Sequence, residues 1–230
     1  MTTIVHCNAA TKTYGQDEVE VHAVQAVTVE VTKGEFVSLS GPSGSGKTTL
    51  LNLIGGLDRP TSGEITVDGS RVDQMKKEDL AELRLHKIGF VFQAYNLIPV
   101  LSALENIEFI MQLQGISPDI RRKQALSILN EVGLEGLGDR RPAELSGGQQ
   151  QRVAVARAIV SEPAIILADE PTANLDSATA EELLNLMESL NRNKQITFIV
   201  ATHDQRVIDL TRRRIRMVDG RIDTDVTEAD

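Results

Sequence analysis

Gly41-Pro42-Ser43-Gly44-Ser45-Gly46-Lys47-Thr48 stands between an apolar run at Phe36–Ser40 and a helical pattern over 48–54 that Gly55-Gly56 stops. Strand, glycine loop and helix in that order form the context in which this P-loop pattern has a physical meaning. Small residues let successive backbone N–H groups turn inward around phosphate oxygens, and the helix N-terminus behind them adds positive potential. Lys47 is expected to reach the outer phosphates and the Thr48 hydroxyl to ligate Mg²⁺, while Gly41, Ser43, Gly44, Ser45, Gly46 and Thr49 complete the lining. On average glycine usage a fortuitous match in a chain of this length is on the order of one in a hundred, so the loop is read as a cradle for nucleotide phosphates.

Ahead of the loop, Val27, Val29 and Val31 alternate with polar residues and lead into Lys33-Gly34, which predicts a half-buried strand and a turn. Beyond it, 64–68 reads as a strand ending at Asp68-Gly69 and 88–92 as a short buried one. Helical signals then take over: Ser102 and Glu105 form a capping box, and Ser117-Pro118 opens a second helix that Gly133 closes. Strands return at 164–168 and 196–201, with a helix between them capped by Ser177 and running to about 191. A last strand at 215–218 turns at Asp219-Gly220 into a hairpin, and the acidic end after Asp223 is read as loose, without function. The alternation predicts an α/β fold with a parallel sheet, interrupted by an inserted helical segment.

The strand 165–168 delivers two adjacent carboxylates, Asp169 and Glu170, at its C-terminal end, where open α/β sheets bind ligands. Because the chain turns there, Asp169 can face Mg²⁺ while Glu170 faces the terminal phosphate as the general base for an attacking water. By itself an Asp-Glu pair at a strand end is an ordinary solvated turn; the phosphate cradle upstream reverses that reading. Leu145-Ser146-Gly147-Gly148-Gln149-Gln150-Gln151-Arg152 opens a further helix and places a hydroxyl and bare amides at its N-terminus, a second anion site in the same chain.

With the P-loop and strand-end acids already in order, this segment resembles the signature sequence of ABC-family ATPases. The resemblance runs from Tyr14 to Gly220 and implies a P-loop core with a parallel sheet (1–93 and 161–225), an N-terminal antiparallel β subdomain and a helical subdomain at about 94–160. It implies ATP and Mg²⁺ as ligands, and a head-to-tail homodimer in which the P-loop of one subunit and Ser146, Gly147, Gly148 and Gln149 of the other close on one ATP, twice over. Position by position, Gln93 resembles the glutamine that touches Mg²⁺ and the attacking water, and Tyr14 the aromatic that stacks on adenine. Asp176 in Asn174-Leu175-Asp176 resembles the aspartate that crosses the dimer interface, and His203 the histidine that contacts the γ-phosphate. Each alone is an ordinary loop or turn residue; their order gives them weight.

Gly55-Gly56-Leu57-Asp58-Arg59-Pro60-Thr61-Ser62-Gly63, Phe90-Val91-Phe92-Gln93 followed by Asn96-Leu97-Ile98-Pro99, and Arg141-Pro142-Ala143-Glu144-Leu145 are similar to the LolD/MacB-type group of lipoprotein-releasing and macrolide-exporter ATPases. In that group the ATPase drives a membrane subunit. A soluble ABC ATPase of translation or DNA repair is disfavoured, since no tandem cassette, coiled coil or zinc module is seen. An FtsE-like regulator of cell-wall hydrolases shares every motif and stays open.

Composition bounds the partners. The chain has 24 Lys plus Arg against 33 Asp plus Glu, a net charge of -9, so its field repels nucleic-acid backbones. Arg212, Arg213, Arg214 and Arg216 are therefore read as solvated or salt-bridged rather than as a lipid or nucleic-acid patch. Cys7 is the only cysteine, which excludes an internal disulfide and a cysteine-zinc cluster. No stretch has the ~18 apolar residues of a membrane span and the first residues are no secretory signal. The expectation is a cytoplasmic subunit of the separate-chain form, without direct membrane insertion, peripheral on the inner face of the membrane through an integral permease partner. Tyr95, Leu97 and Ile98, next to Gln93, are the expected transmitter to it.

Overall fold

The computed structural model describes residues 2–16 and 19–228; Met1, Asp17 and Glu18 of the expected core and Ala229 and Asp230 of the acidic end lie outside the described residues. Strands β1 (Thr3–Gln16), β2 (Val19–Thr32), β4 (Ser62–Val67) and β5 (Ser70–Arg71) form an antiparallel sheet in the order β2-β1-β4-β5. A second sheet has the order β10-β9-β3-β8-β7-β6, from β3 (Phe36–Ser40), β6 (Ile88–Phe92), β7 (Ile165–Asp169), β8 (Thr197–Thr202), β9 (Arg213–Val218) and β10 (Arg221–Thr227). It is parallel from β6 to β9, and β10 returns antiparallel on β9.

The strand period of two sorts the core. Ile165 and Leu167 of β7 and Ile199 and Ala201 of β8 point into one cluster, shared with helix α1 (Lys47–Ile54) and the buried valines Val27, Val29 and Val31 of β2. Their neighbours Ile166, Ala168, Phe198 and Val200 point the other way, onto helices α5 (Gly147–Ile159) and α6 (Ser177–Lys194). Helix α1 is thus clamped between the two sheets, which holds the loop at its N-terminus. Cys7 lies fully buried in the same cluster, and burial pushes its thiol up to about 12, consistent with an inert apolar residue.

Helices α3 (Ala103–Leu113) and α4 (Pro118–Glu131) build a third cluster against Val153 and Ala156 of α5 and its C-cap Val160, while Val155, Ala158 and Ile159 of α5 pack on the parallel sheet. One helix therefore contributes to both clusters. The capping box of Ser102 and Glu105 is formed, with both bonds present.

Four features differ from the sequence reading. Helix α2 (Lys77–Lys87) precedes β6 and buries only Leu80 and Leu83, too thin a stripe to announce a helix. The β1 strand escapes the strand pattern because bulges interrupt its register. Asp176, not Ser177, caps α6: its carboxylate accepts the N–H groups of Ala178 and Thr179. The end after Asp223 is not loose through Thr227, since Asp225 pairs with Arg213 at 2.8 Å and Asp223 with Arg216 at 3.3 Å across the hairpin. Those pairs, with Arg214 to Glu228, bear out the salt-bridge reading for Arg213, Arg214 and Arg216.

Candidate functional site

The loop after β3 is held open by backbone geometry. Gly46 has φ +97°, and a side chain there would collide with the Ala23 carbonyl oxygen of β2. Gly46 is also the N-cap of α1, and among the described residues no side chain caps that helix. The Ser45 hydroxyl is buried without a hydrogen-bond partner among the described residues. Lys47, itself buried, curls back so that Nζ donates to the carbonyls of Gly41 (2.8 Å) and Pro42 (3.0 Å). Ser43 through Thr49 line a cavity of about 870 Å³, whose other walls include Gln93, Glu170 and His203.

The two strand-end acids diverge as their backbone turns. Asp169 accepts a bond from the Thr48 hydroxyl at 3.1 Å. Burial pushes its carboxyl pKa up, with the Thr48 bond opposing. Glu170 has φ +47°, a left-handed conformation that costs a non-glycine residue free energy and clusters at functional sites. Its N–H is tied to Ala201 O at 2.9 Å. Its carboxylate meets His203 Nδ1 at 2.8 Å, Thr202 Oγ1 at 3.2 Å and the His203 N–H at 3.4 Å.

Not every predicted residue joins this cavity. The Tyr14 hydroxyl donates to Asp58 Oδ2 at 2.7 Å, and Lys12 sits 4.8 Å over the ring while binding Asp58 at 2.7 Å. Burial raises the Asp58 carboxyl, but the bonds from Lys12 and Tyr14 outweigh it and hold the group low. Ser146 and Asp176 lie exposed, outside the cavity. Ser146 Oγ accepts the Gln149 N–H at 3.2 Å and Gln149 returns a bond to the Ser146 N–H at 2.9 Å. The starts of α5 and α6 touch, since a side chain on Gly148 would meet the Thr179 methyl.

Residues 24–173 match the family model described as ABC transporter. The chain belongs to the ABC transporter family. It is 49% identical over 212 residues to an uncharacterized ABC transporter ATP-binding protein of Thermotoga maritima, covering 92% of this chain and 90% of that protein. The lipoprotein-releasing system ATP-binding protein LolD of Bacteroides fragilis is 43% identical over 219 residues, covering 95% and 100%. The macrolide export ATP-binding/permease protein MacB of Syntrophobacter fumaroxidans is 46% identical over 214 residues, covering 92% of this chain but 30% of that protein. A dimeric ATP-binding cassette, MJ0796, in a post-hydrolysis state bound to ADP and Pi superposes with TM-score 0.91 at 43% identity, covering 99% and 100%. The protein is thus an ABC transporter ATP-binding subunit and an ATPase, and among the described residues no helix is long and apolar enough to cross a membrane.

Two polar residues of this ABC cassette, Asn106 and Arg157, stand outside the motifs read from sequence. Asn106, fully buried on the apolar face of α3, accepts the Ile98 N–H at 2.7 Å and donates to the carbonyls of Ile98, Leu101 and Ser102. Arg157 of α5 donates to the carbonyl of Tyr95 at 2.9 Å and to that of Asn96 at 2.5 Å, and burial lowers its pKa. Asn174 donates to the Gln93 carbonyl at 2.9 Å. Polar side chains at apolar helix positions were the available signal for Asn106 and Arg157. Together they brace 93–101 along an apolar groove of about 730 Å³ lined by Leu85, Phe90, Ile98, Phe109, Ile110 and Leu113. Ile98 faces this groove, whereas Leu97 packs into the helical cluster.

Proposed function

We propose that this subunit hydrolyses MgATP in a head-to-tail homodimer with two ATP sites and passes the resulting motion to an integral membrane permease, in the manner of the LolD/MacB-type group. The observation that carries it is one cavity where an uncapped helix start, Lys47 and the Glu170–His203 pair converge. Phosphates replace the Gly41 and Pro42 carbonyls as partners of Lys47, and the bare N–H groups of α1 bind their oxygens. Tyr14 supplies the face for adenine, held by Asp58.

Thr48 and Asp169 bring a hydroxyl and a carboxylate together, a hard-oxygen pair suited to Mg²⁺, which keeps waters and uses few protein ligands beside substrate phosphates. Gln93 completes that set. The ion, when bound, neutralises charge on the phosphates. Glu170 takes the proton of a water whose oxygen attacks the γ-phosphorus as the bond to the ADP oxygen breaks. His203 holds Glu170 and faces the γ-phosphate. Ser146, Gly147, Gly148, Gln149 and Asp176 of the second subunit close the site.

The braced segment 93–101 carries closure from Gln93 to the groove, where a cytoplasmic helix of the permease docks; the subunit works on the inner face of the membrane through that partner. The helical subdomain, about 94–160, is the part that rotates. Replacing Glu170 by Gln is expected to leave ATP binding and dimer formation intact while hydrolysis falls by about 10²–10⁴-fold; normal turnover overturns the base assignment. Leu113, exposed at the groove, provides the second test. Leu113→Glu should leave ATPase activity of the isolated subunit unchanged and abolish copurification of the permease from membranes. Retained copurification overturns the docking site.

A further inference from the structure

We infer that Thr202 is a positioning residue for the catalytic carboxylate, selecting which oxygen of Glu170 is left for the attacking water. The inference rests on the reading of Glu170 as the base.

Thr202 ends β8 and is fully buried, paired across the sheet with Ser40 of β3. A hydroxyl has one proton and two lone pairs. Here the Asp204 N–H, 2.9 Å away, occupies a lone pair. The one proton is then directed at Glu170 Oε2, 3.2 Å away, which also receives the His203 N–H at 3.4 Å. Oε2 is thereby engaged by two donors, whereas among the described residues Oε1 meets only His203 Nδ1, on a histidine that is 72% exposed. Oε1 is the oxygen left to turn from histidine to water.

The donor is itself fixed. Asp204 caps helix α7 (Gln205–Leu210) through the Arg206 N–H, accepts the Thr172 hydroxyl at 3.0 Å and pairs with the Arg206 guanidinium at 2.7 Å. Arg206 in turn donates to Ser177 O at 3.2 Å, at the start of the helix that Asp176 caps. The turn carrying the Thr202 hydroxyl is therefore anchored to the α6 start, and a branched side chain at a strand end has few rotamers to leave it by.

Valine keeps the shape and deletes the proton. In the purified full chain, Thr202→Val is expected to lower kcat by about 10–100-fold, within the range lost when a reacting group is misplaced. KM for ATP should stay within about twofold and ATP-dependent dimerisation should persist, since neither involves the Glu170 orientation. Thr202→Ser restores the donor and should recover kcat to within about threefold. In a Glu170→Gln background, Thr202→Val should leave the single-turnover rate unchanged, because the carboxylate it orients is gone. Should Thr202→Val not fold, Thr202→Cys, a weaker donor, carries the same test. Unchanged kcat in the valine variant, failure of serine to rescue, or an undiminished effect in the Glu170→Gln background each overturns the inference. If Glu170→Gln itself turns over normally, the base assignment fails; if it is inactive while Thr202→Val is fully active, only the positioning role fails.

Discussion

The helix starts at Gly46 and at Ser146 share glycines and hydroxyls but differ in what satisfies their first N–H groups. At α1, among the described residues, no side chain caps the helix and the nearby Ser45 hydroxyl has no partner, while Lys47 rests on two carbonyls of its own loop. At α5 Ser146 and Gln149 close a complete capping box. An uncapped terminus inside a cavity leaves unmet hydrogen-bonding capacity, and an anion meets it. A self-capped terminus on an exposed face costs nothing while it waits, which suits a half-site completed only when a second subunit arrives.

Gly46→Ala attacks the open start and has the largest expected effect. The φ of +97° alone costs an alanine roughly 1–3 kcal/mol, and the Ala23 carbonyl forces the loop to move as well. ATP affinity of the monomer should fall by about 10–100-fold or more, measured by titration calorimetry. Ser146→Ala attacks the closed start and should act on a different quantity. Loss of the cap costs about 1 kcal/mol of stability, a Tm drop of about 2–4 °C for a chain of this size, with monomer ATP affinity unchanged. Equal loss of ATP affinity in both variants would erase the distinction between the two starts.

The same contrast marks what was legible in the sequence. Features set within a few residues were readable: the loop 41–48, the acids at 169–170, the capping box at Ser102 and Glu105, and the α5 start. Sequence alone points to Ser177 as the cap and Asp176 as a dimer contact, because both types cap helices and only the observed bonds separate them. The Thr202 contact with Glu170 depends on the register of β7 against β8, which two uniformly apolar strands do not encode. The pairing of Tyr14 with Asp58 joins residues 44 positions apart across a bulged strand and a loop, beyond any local pattern. The helix α2 and the ordered end through Thr227 leave no periodic signal, because charged, thinly apolar segments gain their order from ion pairs and packing.

The head-to-tail arrangement is tested most directly by mixing two defective subunits, Lys47→Ala and Ser146→Arg, both in a Glu170→Gln background that prevents turnover. A homodimer of the first lacks Lys47 in both P-loops, and one of the second has both partner starts blocked. The mixed dimer keeps one site made of an intact P-loop from one subunit and an intact Ser146 start from the other. Light scattering with MgATP should show neither parent dimerising and the mixture forming dimers. A mixture that stays as monomeric as its parents, at concentrations where the Glu170→Gln subunit alone dimerises, would contradict the completion of each site by a second subunit.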